Sequence, residues 1–128
     1  MTVEPGCILV VEDDEHLREL FIRWLEAAGY RTIAAGDGVR GIELAQRHAP
    51  CLVVMDLGLP IMDGWEATRV LKRDARTRAI PIIAVTGQTI KTRREDARTA
   101  GCDAFLEKPC DAEQLIAAVR RVAAVVSP

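Results

Sequence analysis

The sequence predicts a doubly wound α/β domain: a five-stranded parallel sheet in the order 2-1-3-4-5, with helices on both faces. Five short apolar runs alternate with longer segments of helical periodicity, the pattern of repeated βα units. Three of the runs, Ile8-Leu9-Val10-Val11, Leu52-Val53-Val54-Met55 and Ile82-Ile83-Ala84-Val85, are apolar without alternation, as strands buried on both faces are. A chain of 128 residues fits one such domain and can bury a core without disulfides or metals.

The strands are predicted at Cys7–Val11, Arg31–Ala34, Cys51–Met55, Ile80–Val85 and Asp103–Leu106. After the first, Leu17, Leu20, Phe21, Trp24, Leu25 and Ala28 form one apolar stripe of a helix that Gly29 stops. The second helix starts near Asp37, ends before Pro50, and is expected to turn Val39, Ile42 and Ala45 inward. The third, from about Gly64 to Lys72, turns Trp65, Thr68 and Leu71 to one side, with Asp63 as its cap. Between Thr89 and Ala100 only Ile90, Ala97 and Ala100 could pack, so this fourth segment is expected to be the least firmly held. The last helix follows its cap Asp111 and buries Leu115, Val119, Val122 and Val126. Right-handed crossovers and the short chain favour the flavodoxin-like strand order.

Composition narrows the function classes. A net charge of −2 argues against a nucleic-acid binder, which would carry a strongly basic balance. No apolar run approaches the length of a membrane span, and Met1–Gly6 lacks the regions of a secretory signal, so a cytoplasmic location is expected. Cys7, Cys51, Cys102 and Cys110 show no C-x-x-C spacing and read as small packing hydrophobes. His16 and His48 have no partner spacing for a metal or a triad and read as surface residues.

The chemistry gathers at strand ends. Glu12, Asp13 and Asp14 follow the first run, Asp56 the third, Thr86 the fourth and Lys108 the fifth. In the order 2-1-3-4-5 these four strands are neighbours, and ligands of open α/β sheets bind along that rim. With strands ~4.8 Å apart, a hydroxyl at Thr86 reaches Asp56, whereas Lys108, about 10 Å away, needs its full length. Three carboxylates at close quarters repel and are tolerated with a compensating cation. A few hard oxygen ligands suit Mg²⁺ better than Zn²⁺. A carboxylate beside a divalent ion, an ammonium and a hydroxyl is equipped for phosphoryl transfer, with Asp56 as nucleophile. Asp14 fits a helix N-cap better than a metal ligand.

The blocks Ile8-Leu9-Val10-Val11-Glu12-Asp13-Asp14, Met55-Asp56-Leu57-Gly58-Leu59-Pro60-Ile61-Met62-Asp63-Gly64, Val85-Thr86-Gly87 and Glu107-Lys108-Pro109 resemble, in order and spacing, those of the response-regulator receiver family of two-component signalling. The resemblance runs from the first strand to the last helix. It implies one receiver domain over residues 1–128, with a core of about 6–126. It implies Asp56 as phosphoacceptor, Glu12 and Asp13 as the acidic Mg²⁺ pair, and the Gly58 carbonyl as a further ligand. Thr86 would be the switch hydroxyl, Phe105 the switch aromatic, Lys108 the phosphate-pairing amine, and Lys108–Pro109 a cis peptide. The donor implied is a histidine kinase or histidine phosphotransferase. The output implied is a protein-interaction face formed by the fourth helix, fifth strand and fifth helix, read by a downstream protein that the sequence does not identify. No nucleic acid or membrane partner is expected for this domain. Such a chain is a signalling switch rather than an enzyme, although it assists its own phosphorylation and dephosphorylation. With no output domain apparent after residue 126, it would act alone or as the receiver piece of something longer.

Departures from the family pattern also carry expectations. Glu12 stands where many members have Asp; one extra methylene still permits a water-mediated metal contact. Phe105 stands where Tyr is frequent and offers no hydroxyl to a partner. Gly58 and Gln88 occupy positions that tune phosphoryl lifetime, and Gly58 leaves access for attacking water.

Two other classes compete. Gly36-Asp37-Gly38-Val39-Arg40-Gly41 matches G-x-G-x-x-G, the dinucleotide fingerprint, but follows the edge strand, and the chain is too short for two nucleotide-binding halves. A receiver fold used as a constitutive interaction module would not need the repulsion that Glu12, Asp13 and Asp56 create.

Overall fold

In the computed structural model, which describes residues 6–87 and 100–126, the chain forms a five-stranded parallel sheet in the order β2-β1-β3-β4-β5. The strands are β1 (Cys7–Val11), β2 (Arg31–Ala35), β3 (Leu52–Asp56), β4 (Ile82–Thr86) and β5 (Ala104–Glu107). Among the described residues, three helices, α1 (Glu15–Ala27), α2 (Gly38–His48) and α3 (Gly64–Arg73), connect strands, and the C-terminal helix spans Ala112–Val126. The predicted segment Thr89–Ala100 and the position of Gln88 lie outside the described residues, apart from Ala100 itself.

The central strands are apolar on both sides because both sides are covered. Ile8, Val10, Leu52, Val54, Ile83 and Val85 pack against Phe21 and Leu25 of α1 and Leu115, Val119 and Val122 of the C-terminal helix. Alternate residues of the same strands, Leu9, Val11, Val53, Met55 and Ile82, meet Ile42 and Ala45 of α2 and Ala67 and Leu71 of α3. This period-two division between two helix layers is what the unbroken apolar runs require.

Helix boundaries follow local chemistry. Asp14, Asp37 and Asp63 accept from the backbone N–H of Leu17, Arg40 and Glu66, at 3.0, 2.8 and 2.9 Å, and so cap α1, α2 and α3. Asp111 accepts from Gln114 N at 2.8 Å while the Gln114 side chain accepts from Asp111 N at 2.9 Å, a reciprocal capping box. Gly29, at φ 98°, ends α1 in the left-handed region that only glycine enters without strain. Past α3, the buried Thr77 hydroxyl donates to the Leu71 carbonyl at 2.7 Å.

Two expectations are corrected. Val39 is not inward but 48% exposed. Gly38, Gly41, Ile42, Leu44 and Ala45 form the buried face of α2 instead. A Cβ at Gly41 would lie 2.8 Å from Val11 Cγ2, so a glycine lets the helix lie close to β1 and rolls Val39 outward. Cys51 is exposed rather than a core thiol; it stands just before β3, which begins at Leu52, and not within the buried strand. Cys7, Cys102 and Cys110 are partly buried, and burial pushes the Cys102 thiol up to about 11, as suits an inert packing group. His16 and His48 are on the surface as expected.

Candidate functional site

The carboxyl ends of β1, β3, β4 and β5 lie side by side, and the polar residues that close these strands face one another. Asp56 and Thr86 are the final residues of β3 and β4, whereas Glu12 and Lys108 come immediately after β1 and β5. Ladder hydrogen bonds continue past the strands and hold these positions: Glu12 N donates to Ala35 O at 3.0 Å, Leu57 N to Val85 O at 3.0 Å, and Lys108 N to Thr86 O at 2.7 Å.

The side chains converge. One carboxylate oxygen from each of Glu12, Asp13 and Asp56 lies within 4.8 Å of the others. Glu12 is 1% exposed and Asp56 5%, whereas Asp13 opens to solvent. Lys108 Nζ lies 2.8 Å from Glu12 Oε1 and 3.3 Å from Asp56 Oδ2, bridging two strands as its length allows. Thr86 is 3% exposed at the end of the strand between them. Glu12, Asp13, Asp56, Thr86 and Lys108 are therefore gathered on one rim. Three hard carboxylate donors in one open-sided cluster fit a small divalent cation such as Mg²⁺ rather than a thiophilic one.

The electrostatics follow from burial. Desolvation pushes the Glu12 carboxyl up to about 7; the Lys108 ammonium and the Asp14 N–H, 3.0 Å from Glu12 Oε2, oppose this, and the Asp56 charge reinforces it. Burial alone would lower the Lys108 pKa, but the Glu12 and Asp56 carboxylates outweigh it and hold the ammonium above its usual value. A cation of higher charge density among these groups would relieve a repulsion that one lysine only partly offsets.

The loop after β3 is shaped for this arrangement. Gly58 N donates to Asp56 Oδ1 at 2.9 Å, which turns the chain sharply and orients the carboxylate. A Cβ at Gly58 would stand 3.6 Å from the same oxygen, so its absence leaves that side of Asp56 open. Gly64 escaped the sequence reading as a site residue. A Cβ there would collide with the Asp56 carbonyl oxygen, so a glycine is needed for α3 to start against the end of β3. Its signal was only its place in the Asp63-Gly64 pair. The Lys108–Pro109 bond is cis, as the resemblance implied.

Phe105 sits one strand from β4, opposite Ala84, on the sheet face that also carries Thr86. It is partly buried against a cluster of Leu57, Trp65, Ala84 and Ala100. The G-x-G-x-x-G glycines are packing devices: in the first turns of α2, Gly38 lies under the Met62 carbonyl and Gly41 against Val11.

Comparison with known proteins bears on the same residues. Residues 8–120 match the response regulator receiver domain. The polar-differentiation response regulator DivK of Brucella anthropi is 39% identical over 116 residues, covering 91% of this chain and 94% of that protein. DivK of Brucella ovis is 39% identical over 113 residues, covering 88% and 92%. Among solved structures, the receiver domain of sensor histidine kinase PA1611 from Pseudomonas aeruginosa, with a magnesium ion coordinated in its active site cleft, is similar at TM-score 0.87 and 31% identity, covering 94% of this chain and 98% of that one. The Vibrio cholerae chemotaxis protein CheY4 is similar at TM-score 0.88 and 25% identity, covering 92% and 98%. Among the described residues no helix is long and apolar enough to cross a membrane.

Proposed function

The chain belongs to the response regulator receiver domain family of two-component signalling, and from that premise we propose that it takes a phosphoryl group on Asp56 from a phosphohistidine donor in a Mg²⁺-dependent reaction. The observation that carries the reading is the convergence of Glu12, Asp13 and Asp56 within 4.8 Å, with Lys108 Nζ 3.3 Å from the central aspartate.

Glu12, Asp13, Asp56 and the Gly58 carbonyl would hold the ion. Bound there, it supplies charge neutralisation on the transferring phosphoryl oxygens. One Asp56 oxygen attacks phosphorus, the P–N bond of the donor breaks, and the imidazole nitrogen leaves with the bonding electron pair. Two features keep the carboxylate aimed: the Gly58 N–H on Oδ1 and Lys108 on Oδ2. As negative charge shifts onto the incoming group, the Lys108 ammonium follows it and the Thr86 hydroxyl donates to a phosphoryl oxygen. Because Asp56 is nearly buried, bulk water is thinned around the acyl phosphate, and the open side at Gly58 sets how fast hydrolysis removes it.

The signal follows from Thr86. Its movement toward the phosphoryl group would vacate space on the sheet face shared with Phe105, and the ring would turn in to fill it. This would shift the equilibrium of the face that β5 and the C-terminal helix offer to a downstream protein; the fourth segment assigned to that face lies outside the described residues. On this reading the chain is a switch and not an enzyme acting on other molecules.

Incubation with acetyl phosphate and Mg²⁺, read by intact mass, tests the function. One added phosphoryl group is expected, abolished by EDTA and by Asp56→Asn. No mass gain in the folded wild-type chain would instead leave a constitutive interaction module.

A further inference from the structure

Ile61 is the most exposed large apolar residue among those described, at 100%, and its backbone is left-handed, with φ 66°. Both properties are unfavourable. A β-branched side chain rarely adopts positive φ, where glycine or asparagine sits without strain. Full hydration of an isoleucine forgoes its burial. A conformation that aims such a side chain at solvent is intelligible when a partner receives it.

Its surroundings define that partner. Val39, 48% exposed, and the flanking Pro60 and Met62 extend the apolar spot into a shallow cleft between the first turn of α2 and the loop after β3. The cleft lies on the rim where α2 and α3 begin: Asp37, the cap of α2, and Glu43 line it, and Asp63, the cap of α3, follows Met62 directly. The one cation that lines the cleft, Arg40, is paired with Glu43 at 3.1 Å. An apolar centre with an acidic surround is complementary to an apolar side chain set among lysines or arginines. Access to Asp56 chooses between partners. The carboxylate is 5% exposed, so a histidine on another protein reaches it only by seating that protein on the rim. Ile61 is five positions along the loop that leaves Asp56.

We propose that Ile61, supported by Val39 and Met62, is the docking anchor for the phosphohistidine donor, whose contacting surface presents an apolar side chain flanked by basic residues. This rests on the receiver reading above. It adds a specificity element, on the α2 side of the rim, that takes no part in the chemistry.

The test compares two donors on the full chain: acetyl phosphate, and a phosphorylated histidine-kinase domain that transfers to the wild type. Ile61→Asp should lower kcat/KM for the protein donor about tenfold, chiefly through KM, and leave phosphorylation by acetyl phosphate unchanged. Ile61→Leu should retain most of the transfer. Ile61→Gly relieves the left-handed strain, so it should melt higher than wild type yet transfer as slowly as Ile61→Asp. Added salt should slow the wild-type protein donor, as an acid–base contact requires. Equal transfer to wild type and Ile61→Asp overturns the proposal. So does an equal loss with both donors, which makes Ile61 a support of the site. Self-association removed by Ile61→Asp, with transfer intact, assigns the spot to a second copy of the chain. Failure of acetyl phosphate on the wild type would instead strike the receiver reading itself.

Discussion

Replacing Gly64 by alanine isolates how tightly the site is built into the fold. The new Cβ would lie 2.7 Å from Leu57 Cα and 2.8 Å from the Asp56 carbonyl carbon, and it would collide with the Asp56 carbonyl oxygen. These are backbone atoms at the end of a buried strand, so no side chain can swing aside. The first turn of α3 must back away by about 1 Å to restore ordinary contact. That strains the packing of Trp65, Ala67, Thr68 and Leu71, all buried on the same helix. Overpacking of this kind costs ~1–3 kcal/mol, and the better helix propensity of alanine returns up to ~1 kcal/mol. The difference spans roughly 0–3 kcal/mol. Because backbone atoms rather than side chains must move, the loss is expected near its middle, about 1–2 kcal/mol, which lowers Tm by roughly 3–8 °C for a domain of this size. The matched control is Gly87→Ala, whose Cβ would meet Lys108 Cβ at an ordinary 3.7 Å. Neither glycine has positive φ, so steric fit is the main difference between them. The control should stay within ~0.5 kcal/mol of wild type. Urea denaturation, with Mg²⁺ titration alongside, reads both effects: the Gly64 variant should be less stable and bind the ion more weakly. Stability equal to wild type, or a larger loss at Gly87, would refute the claim that α3 is seated directly on the Asp56 backbone.

Other perturbations follow from the same geometry. Gly58→Arg finds room beside Asp56 Oδ1 and should shield it, lengthening the acyl-phosphate lifetime several-fold in a phosphate-release assay; an unchanged or shorter lifetime contradicts this. The Glu12 carboxyl, raised to about 7 from its ordinary 4.5, must lose its proton to serve the ion. Mg²⁺ affinity should therefore fall as pH drops below about 7 and level off above it; a pH-independent affinity from about pH 5.5 to 7.5 by calorimetry would rule this out. The sign for stability is the reverse. A carboxyl whose folded pKa is raised favours the metal-free fold below the unfolded value, and that advantage is lost as pH rises through the folded one. Saturating Mg²⁺ should flatten the trend in chemical denaturation. Thr77→Val strands the Leu71 carbonyl in the interior and should cost ~1–2 kcal/mol without altering phosphorylation.

Much of the fold was legible because it is written in apolar runs. Ile8–Val11, Leu52–Met55 and Ile82–Val85 leave no alternative to strands covered on both sides, and the observed order is the predicted one. Strand ends moved by a residue because Asp56 and Thr86 are polar yet occupy the final strand positions, where hydrophobicity gives no signal. Val39 misled for a related reason. The 3.6-residue period placed it on the stripe, but the buried face of α2 is made in part by Gly38 and Gly41, and small residues carry no hydrophobic weight. Glu12, Asp13, Asp56, Thr86 and Lys108 were readable because each closes or follows a strand, and strand order alone makes them neighbours. Gly64 and Ile61 were not. Their roles depend on which backbone lies against a missing Cβ and on a φ of 66°, neither of which is encoded by residue type.

The central claim is that the polar and charged groups at four strand ends make Asp56, and no other residue, the seat of an acyl phosphate. Reductive trapping tests it most directly. The chain is treated with acetyl phosphate and Mg²⁺ and then with borohydride, which converts an aspartyl phosphate to homoserine, and the peptides are sequenced by mass spectrometry. Homoserine at position 56 alone is the predicted result. An unreduced Asp56 in a chain that has gained a phosphoryl group, or homoserine at another aspartate, would contradict it.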